Sequence, residues 1–238
     1  MRETGAGRWS LALAVLIAVA AFVMPRIMAT PRVASAATGR VSPGDDAVAR
    51  GRYLVITHDC GGCHGGDADP ASPDWLQGMK TPLTEFKIGP CALKPDAMPC
   101  FLTRPRNLTP DNLTGLGRFS ERQIFNALRF GLRPEDTPDV EVTSTTPGVG
   151  NFPEHPHYLA PPMPWPAWRH MPDRDLWDIA AYLKRGLKPV RNKVPDSQGP
   201  PDFWASEYTA EKIGPYPVPA FPTANEQTPV AQSGSPPR

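Results

Sequence analysis

Apolar residues recur at helical spacing in three stretches of the chain. Ala47, Gly51, Leu54, Val55 and His58 fall at offsets 0, 4, 7, 8 and 11, which is one helix face. That spacing predicts a helix over residues 45–64, ending in a pair of cysteines. A mid-helix glycine costs about 0.5–1 kcal/mol against alanine, so Gly51 marks a place where another backbone or ring comes close. A second helix is predicted from Ser120, where Ser120-Glu121-Arg122-Gln123 has the capping-box pattern. Its buried face is Ile124, Phe125 and Leu128, and Gly131 is a ready stop. The third runs from about Asp173 to Arg185 with Leu176, Ile179, Ala180 and Leu183 in line. Lys184 and Arg185 complement its negative end, and Gly186 follows. Residues 65–118 are rich in Gly, Pro and Asp and read mainly as loop, and a long proline-rich loop joins the last two helices.

Composition sharpens this picture. The 238 residues include 32 prolines, so much of the chain is turn or extended segment. Few Val/Ile-rich runs are bounded by turns, which argues against a long parallel sheet and for an all-α fold. Three short helices cannot enclose an ordinary core for about 150 ordered residues. A large apolar object at the centre would resolve that deficit. Residues 1–37 form a leader, 38–195 the folded domain, and 196–238 a Pro-rich tail expected to be largely disordered. No internal repeat is visible.

The leader carries Arg2 and Arg8 before an apolar run from Trp9 to Met24, with small residues at Ala34-Ser35-Ala36-Ala37. These are the parts of a secretory signal peptide. Pro25-Arg26 closes the run well before the small residues, which leaves an uncleaved membrane anchor as the alternative. Both readings put the body in the periplasm, soluble or tethered to the inner membrane. The net charge is +1, but residues 1–37 hold four arginines and one acid. The remaining body has 21 basic and 23 acidic residues, so it offers no electrostatic reason to bind nucleic acid.

Cys60-Gly61-Gly62-Cys63-His64 carries the chemistry. Thiols three positions apart on a helical turn reach the two vinyl groups on one side of a porphyrin, and the adjacent imidazole reaches the iron. The motif therefore points to one covalently attached haem c, with His64 as the proximal iron ligand. A redox dithiol also uses C-x-x-C but follows a strand in a βαβ setting, which is missing from this pattern. A zinc site commonly needs two separated pairs, and Cys91 and Cys100 lack two-residue spacing. The distal ligand has several candidates: Met79, Met98, Met163, Met171, His58, His155, His157 and His170. Met163 stands out because Ala160-Pro161-Pro162-Met163-Pro164-Trp165-Pro166 is a stiff loop just before the last helix.

The chain resembles class I cytochrome c domains, in particular the cytochrome c subunits of membrane-bound alcohol and gluconate dehydrogenases. The resemblance covers roughly 45–195. It rests on Ala49-Arg50-Gly51-Arg52-Tyr53-Leu54, the haem motif, and Asn107-Leu108-Thr109-Pro110-Asp111 with Thr114-Gly115-Leu116-Gly117. Phe119-Ser120, Met163-Pro164-Trp165 and Ala181-Tyr182-Leu183 complete it. It implies a class I cytochrome c fold, with Met163 as the distal iron ligand and Gly51 packed against Tyr182. It also implies a dehydrogenase as electron donor and an oxidase or another cytochrome as acceptor. Those subunits carry three haem motifs and this chain carries one, and the insertion from Cys91 to Cys100 is foreign to the pattern.

Cys91 and Cys100 are expected to pair as a disulfide, the alternative being two buried thiols. Arg104 and Arg106 are candidates for haem propionates, with solvated loop arginines as the blander reading. Trp165, Trp168 and Trp177 are expected to pack, and His155 and His157 to be exposed. With both axial positions filled, the reading is a monohaem electron carrier rather than an enzyme. The alternative is a haem enzyme or gas sensor with an open distal site. A cytochrome subunit docked in a larger complex is the third reading.

Overall fold

The computed structural model describes residues 43–216, apart from 68, 80–84, 201, 214 and 215. The leader call at 1–37 and the tail beyond 216 lie outside the described residues. Helix α1 runs Pro43–Thr57, with Asp45 and Asp46 in its first turn, where the positive end of the helix dipole favours them. The chain then breaks: Asp59 takes a left-handed conformation at φ 53° before a second, short helix α2, Cys60–His64. The single helix expected over 45–64 is therefore two. The break re-aims the cysteines, and periodicity alone carries no trace of it.

Two short strands follow, β1 (Phe86–Ile88) and β2 (Phe101–Thr103), antiparallel with Phe86 opposite Thr103 and Ile88 opposite Phe101. The Cys91–Cys100 disulfide closes the loop between them, with Cα atoms 5.4 Å apart. Few short helices and long loops make up the described residues as expected, and to them is added a small two-stranded sheet that the all-α expectation lacked. Three-residue strands are too short for alternation to register in sequence. Gln198 exchanges both backbone hydrogen bonds with Leu102, at 2.8 and 2.9 Å, and extends the hairpin.

Helix α3 is Glu121–Phe130 and has the full capping box: the Ser120 hydroxyl accepts from Gln123 N–H, and the Gln123 side chain accepts from Ser120 N–H. Helix α4 is one turn, Trp165–Trp168, and α5 is Asp173–Arg185. Helix α6, Ala210–Ile213, is again one turn. The core lies where α1, α3 and α5 meet, around Leu54, Val55, Ile124, Phe125, Leu176, Ile179 and Ala180. Helices α1 and α5 cross at Gly51. A Cβ there would lie 1.8 Å from the Asp178 carbonyl oxygen and 2.8 Å from Tyr182 Cβ, so only glycine allows this approach. Lys184 does not serve the end of its own helix. Its ammonium donates to the carbonyls of Leu116, Gly117 and Phe119, tying α5 to the loop before α3.

A second, smaller core holds Phe130, Leu132, Val142 and Phe152, with Tyr158 and Tyr216 against it. Part of the segment expected to be tail is thus packed. Trp204 is buried against Phe101, with ring centroids 4.8 Å apart, and Arg133 lies over both rings. Proline-rich composition hid three anchoring aromatics, Trp204, Tyr208 and Tyr216, each with a large apolar area. Among the described residues no helix is long and apolar enough to cross a membrane.

Candidate functional site

Helix α2 places Cys60, Cys63 and His64 on little more than one turn. Both cysteines are free thiols and half-buried. Cys60 also packs against the main core, while Trp75 lies over the Gly61 side of the helix. The indole N–H of Trp75 donates to the Tyr182 hydroxyl at 2.9 Å, so the ring that backs α2 is pinned to α5. Burial, and then the Asp59 carboxylate, push the Cys60 thiol up to about 12. The Cys63 thiol is raised by the same two causes. A redox dithiol needs a thiol stabilised as thiolate. These thiols are held in the opposite sense, as S–H groups.

His64 is 8% exposed. Its Nδ1 donates to the Arg106 carbonyl oxygen at 2.7 Å; since a carbonyl only accepts, Nδ1 carries the proton. Nε2 is thereby left with its lone pair. Burial lowers the His64 pKa, opposed by the bond to Arg106, so the neutral form is favoured. A neutral imidazole with Nδ1 held by a carbonyl is what a metal-binding histidine requires.

The loop that supplies this carbonyl is built for rigidity. Leu108 N–H donates to Leu76 O at 2.9 Å, and Met79 N–H to Pro105 O at 3.0 Å. The buried Asn107 amide donates to Val190 O at 2.7 Å, while its own oxygen accepts from Thr109 N–H at 2.9 Å. Asp111 accepts from the Thr114 hydroxyl and amide, which lowers its pKa. The stretch Asn107–Gly117 is thus a scaffold for His64 rather than a ligand itself.

The remaining candidates sort by placement. Met163 stands on a separate loop, half-buried, in a turn closed by its amide to Ala160 O at 2.9 Å. Nothing in the hydrogen bonds of its backbone ties it to α2. Met171 packs against the same core as Cys60. Met98 is 67% exposed on the disulfide loop. His58 gives Nδ1 to Leu54 O at 2.8 Å, and His157 pairs with Asp136 at 3.1 Å on the surface. Arg104 binds Glu85 and the Asp196 carbonyl, and Arg106 binds the carbonyls of Val194 and Pro195. Both guanidinium groups have protein partners; Arg104 is half-buried, while Arg106 stays exposed. Trp177 stacks on Phe125 at 4.5 Å, Trp168 meets His58 edge-on, and Trp165 stacks on Tyr158. All three pack.

Sequence reading missed Trp75, the Arg106 carbonyl, and two buried arginines, Arg129 and Arg169. A carbonyl leaves no signature in sequence. Arg129 had one, a cation next to Phe130 within an apolar helix face.

The donor chemistry fits a covalently held haem: two protonated thiols, a neutral imidazole fixed through Nδ1, and a methionine-bearing loop just before α4. Among the described residues no three His, Cys, Asp or Glu side chains converge as a tetrahedral zinc site would require. No family model matches the chain. It is similar to the fructose dehydrogenase cytochrome subunit of Gluconobacter japonicus, 26% identical over 157 residues, 66% of this chain and 25% of that protein. It is also similar to the gluconate 2-dehydrogenase cytochrome c subunit of Pantoea cypripedii, 25% identical over 199 residues, 80% and 35% of the two chains. The alcohol dehydrogenase (quinone) cytochrome c subunit of Gluconacetobacter polyoxogenes is 26% identical over 171 residues, 71% and 28% of the two chains. The matched region thus spans about a quarter to a third of each relative's length.

Proposed function

We propose that this protein is a c-type cytochrome that carries single electrons from a dehydrogenase toward an oxidase or another cytochrome outside the cytoplasm. The observation that carries the reading is His64 Nδ1 bound to the Arg106 carbonyl beside two thiols held protonated. Haem, when bound, supplies one-electron iron chemistry. Cys60 and Cys63 would hold it through thioether bonds, and His64 Nε2 and the Met163 sulfur would be the protein ligands of its iron. A methionine opposite a histidine favours ferrous iron and leaves no open position for substrate. The similarity to dehydrogenase cytochrome subunits supports a dehydrogenase as partner.

The test is covalent retention. The protein is produced in cells that mature such cytochromes, denatured and extracted with acidified organic solvent. Haem is expected to stay on the chain, with a haemochrome spectrum of two saturated side groups, and to be lost from the Cys60→Ala/Cys63→Ala double variant. Colourless wild-type protein after extraction would refute the reading.

A further inference from the structure

The loop between Met163 and α5 is held more firmly than a connecting loop needs to be. Trp165, 1% exposed, lies on the backbone of Gly131, where a Cβ would come within 2.1 Å of the indole; Gly131 itself is left-handed at φ 69°. The indole stacks on Tyr158, with centroids 5.9 Å apart and planes 7° from parallel, and meets Tyr208 edge-on at 5.0 Å. From α3, the buried Arg129 guanidinium donates to the carbonyls of Arg169 and Met171, the latter at 2.8 Å, and binds the Asp173 carboxylate. On the other side Arg169, 2% exposed, donates to the Ile213 carbonyl at 2.7 Å. The C-terminal segment is anchored in turn by Tyr216, which packs on Phe130 at 5.0 Å and donates its hydroxyl to Val142 O at 3.3 Å.

Two buried cations spent on backbone carbonyls are a costly way to fill space, since apolar side chains of like volume pack as well. What carbonyl-directed guanidinium groups add is position. Resting on the assignment of Met163 as the sixth ligand, we propose that the C-terminal segment from Trp204 to Ile213, with Tyr216 beyond it, is a strap. Pinned by Arg169 and opposed by Arg129, it keeps the Met163 loop in its ligand-presenting position. Arg129 and Arg169 are positioning residues: Arg129 reaches the loop backbone at Arg169 and Met171, Arg169 reaches from the loop to Ile213, and both act through Met163. Loosening either pin lets the loop lift and admits an outside ligand in place of the thioether.

The experiment uses full-length ferric holoprotein and imidazole as the competing ligand, read by loss of the sulfur-to-iron charge-transfer band in the red. Arg169→Gln and Tyr208→Ala are compared with wild type and with Arg185→Gln, which breaks an exposed ion pair with Glu121. Removing a charge-assisted bond to a part-buried carbonyl is expected to make loop opening, and hence imidazole binding, about tenfold more favourable. Arg185→Gln is expected to match wild type, and Arg169→Lys to recover part of the effect. If Arg169→Gln does not fold, Tyr208→Ala and Arg169→Lys decide. Titrations within twofold of wild type in the strap variants would overturn the strap. Absence of the red band from wild type would instead overturn Met163 as ligand, so the two failures are distinguishable.

Discussion

Gly51→Ala is the sharpest test of how the fold positions its site. The added Cβ would lie 1.8 Å from the Asp178 carbonyl oxygen and 2.5 Å from its carbon, both backbone atoms that cannot rotate away. An ordinary carbon–oxygen contact is about 3.3 Å or more, so α1 and α5 must part by roughly 1.5 Å or bend. A gap of only about 0.5–1 Å already forfeits a quarter to a half of the dispersion across it, so the helices must bend as well as part to keep the loss to that fraction. The side chains on either side, Leu54, Val55, Leu176, Ile179 and Ala180, are all buried. Each large one contributes about 1.5–3 kcal/mol by its burial, so losing a fraction of several costs about 3–5 kcal/mol. The better helix propensity of alanine returns about 1 kcal/mol. The net expectation is about 2–4 kcal/mol of destabilisation, or a melting temperature lower by roughly 5–15 °C for a domain of this size. Gly44→Ala, on the same helix with nothing within 4 Å of its Cβ, is the control and is expected to be neutral or slightly stabilising. Circular dichroism melts of the three holoproteins decide. Gly51→Ala melting at or above wild type would show that the helices do not meet as described.

Four further outcomes follow from the structure. Met163→Leu is expected to abolish the red charge-transfer band while Met171→Leu keeps it; the reverse would move the ligand to Met171. Ser120→Ala removes the capping oxygen at α3 and is expected to cost about 1 kcal/mol in urea unfolding; an unchanged midpoint would refute the cap's role. Cys91→Ala/Cys100→Ala opens a ten-residue loop and is expected to cost about 2.7 kcal/mol in the chain-entropy model, with the haem spectrum unchanged. A spectral change would place the hairpin closer to the iron than this account allows. Asp111 has a depressed folded-state pKa, first through the Thr114 hydroxyl, so its contribution is present above its unfolded value of about 3.9. It is lost as pH falls through the lower folded value. Asp111→Asn is therefore expected to narrow the stability gap between pH 6 and pH 3, measured by urea midpoints at each; an identical gap in both proteins would count against it.

What could be read in the sequence was whatever one segment determines by itself. The capping box at Ser120, the left-handed stop at Gly131 and the span Asp173–Arg185 are local, and all three occur as expected. Gly51 against Tyr182 came through the family resemblance and is borne out in the crossing of α1 and α5. The break at Asp59 escaped notice because a left-handed aspartate costs little and leaves no pattern. Gly186 ends α5 as expected, though right-handed at φ −89° rather than left-handed, and its lack of a side chain also admits the Tyr182 ring. The carbonyl that orients His64 comes from 42 residues away, and the partners of Arg104 and Arg106 lie near residue 195. Such pairings depend on tertiary approach, which local periodicity does not encode.

The disulfide has a consequence for biosynthesis. One polypeptide asks for opposite redox outcomes in a single compartment, since Cys91 and Cys100 are bonded while Cys60 and Cys63 are free. Proximity helps to sort them. Closing nine residues from Cys91 to Cys100 is favoured about fivefold over closing the 28 from Cys63 to Cys91, by loop entropy alone. The harder competitor is a bond between Cys60 and Cys63 themselves, which would remove both handles from the cofactor. Making this protein therefore calls for an oxidant for one pair and a reductant for the other, acting on the same newly made chain.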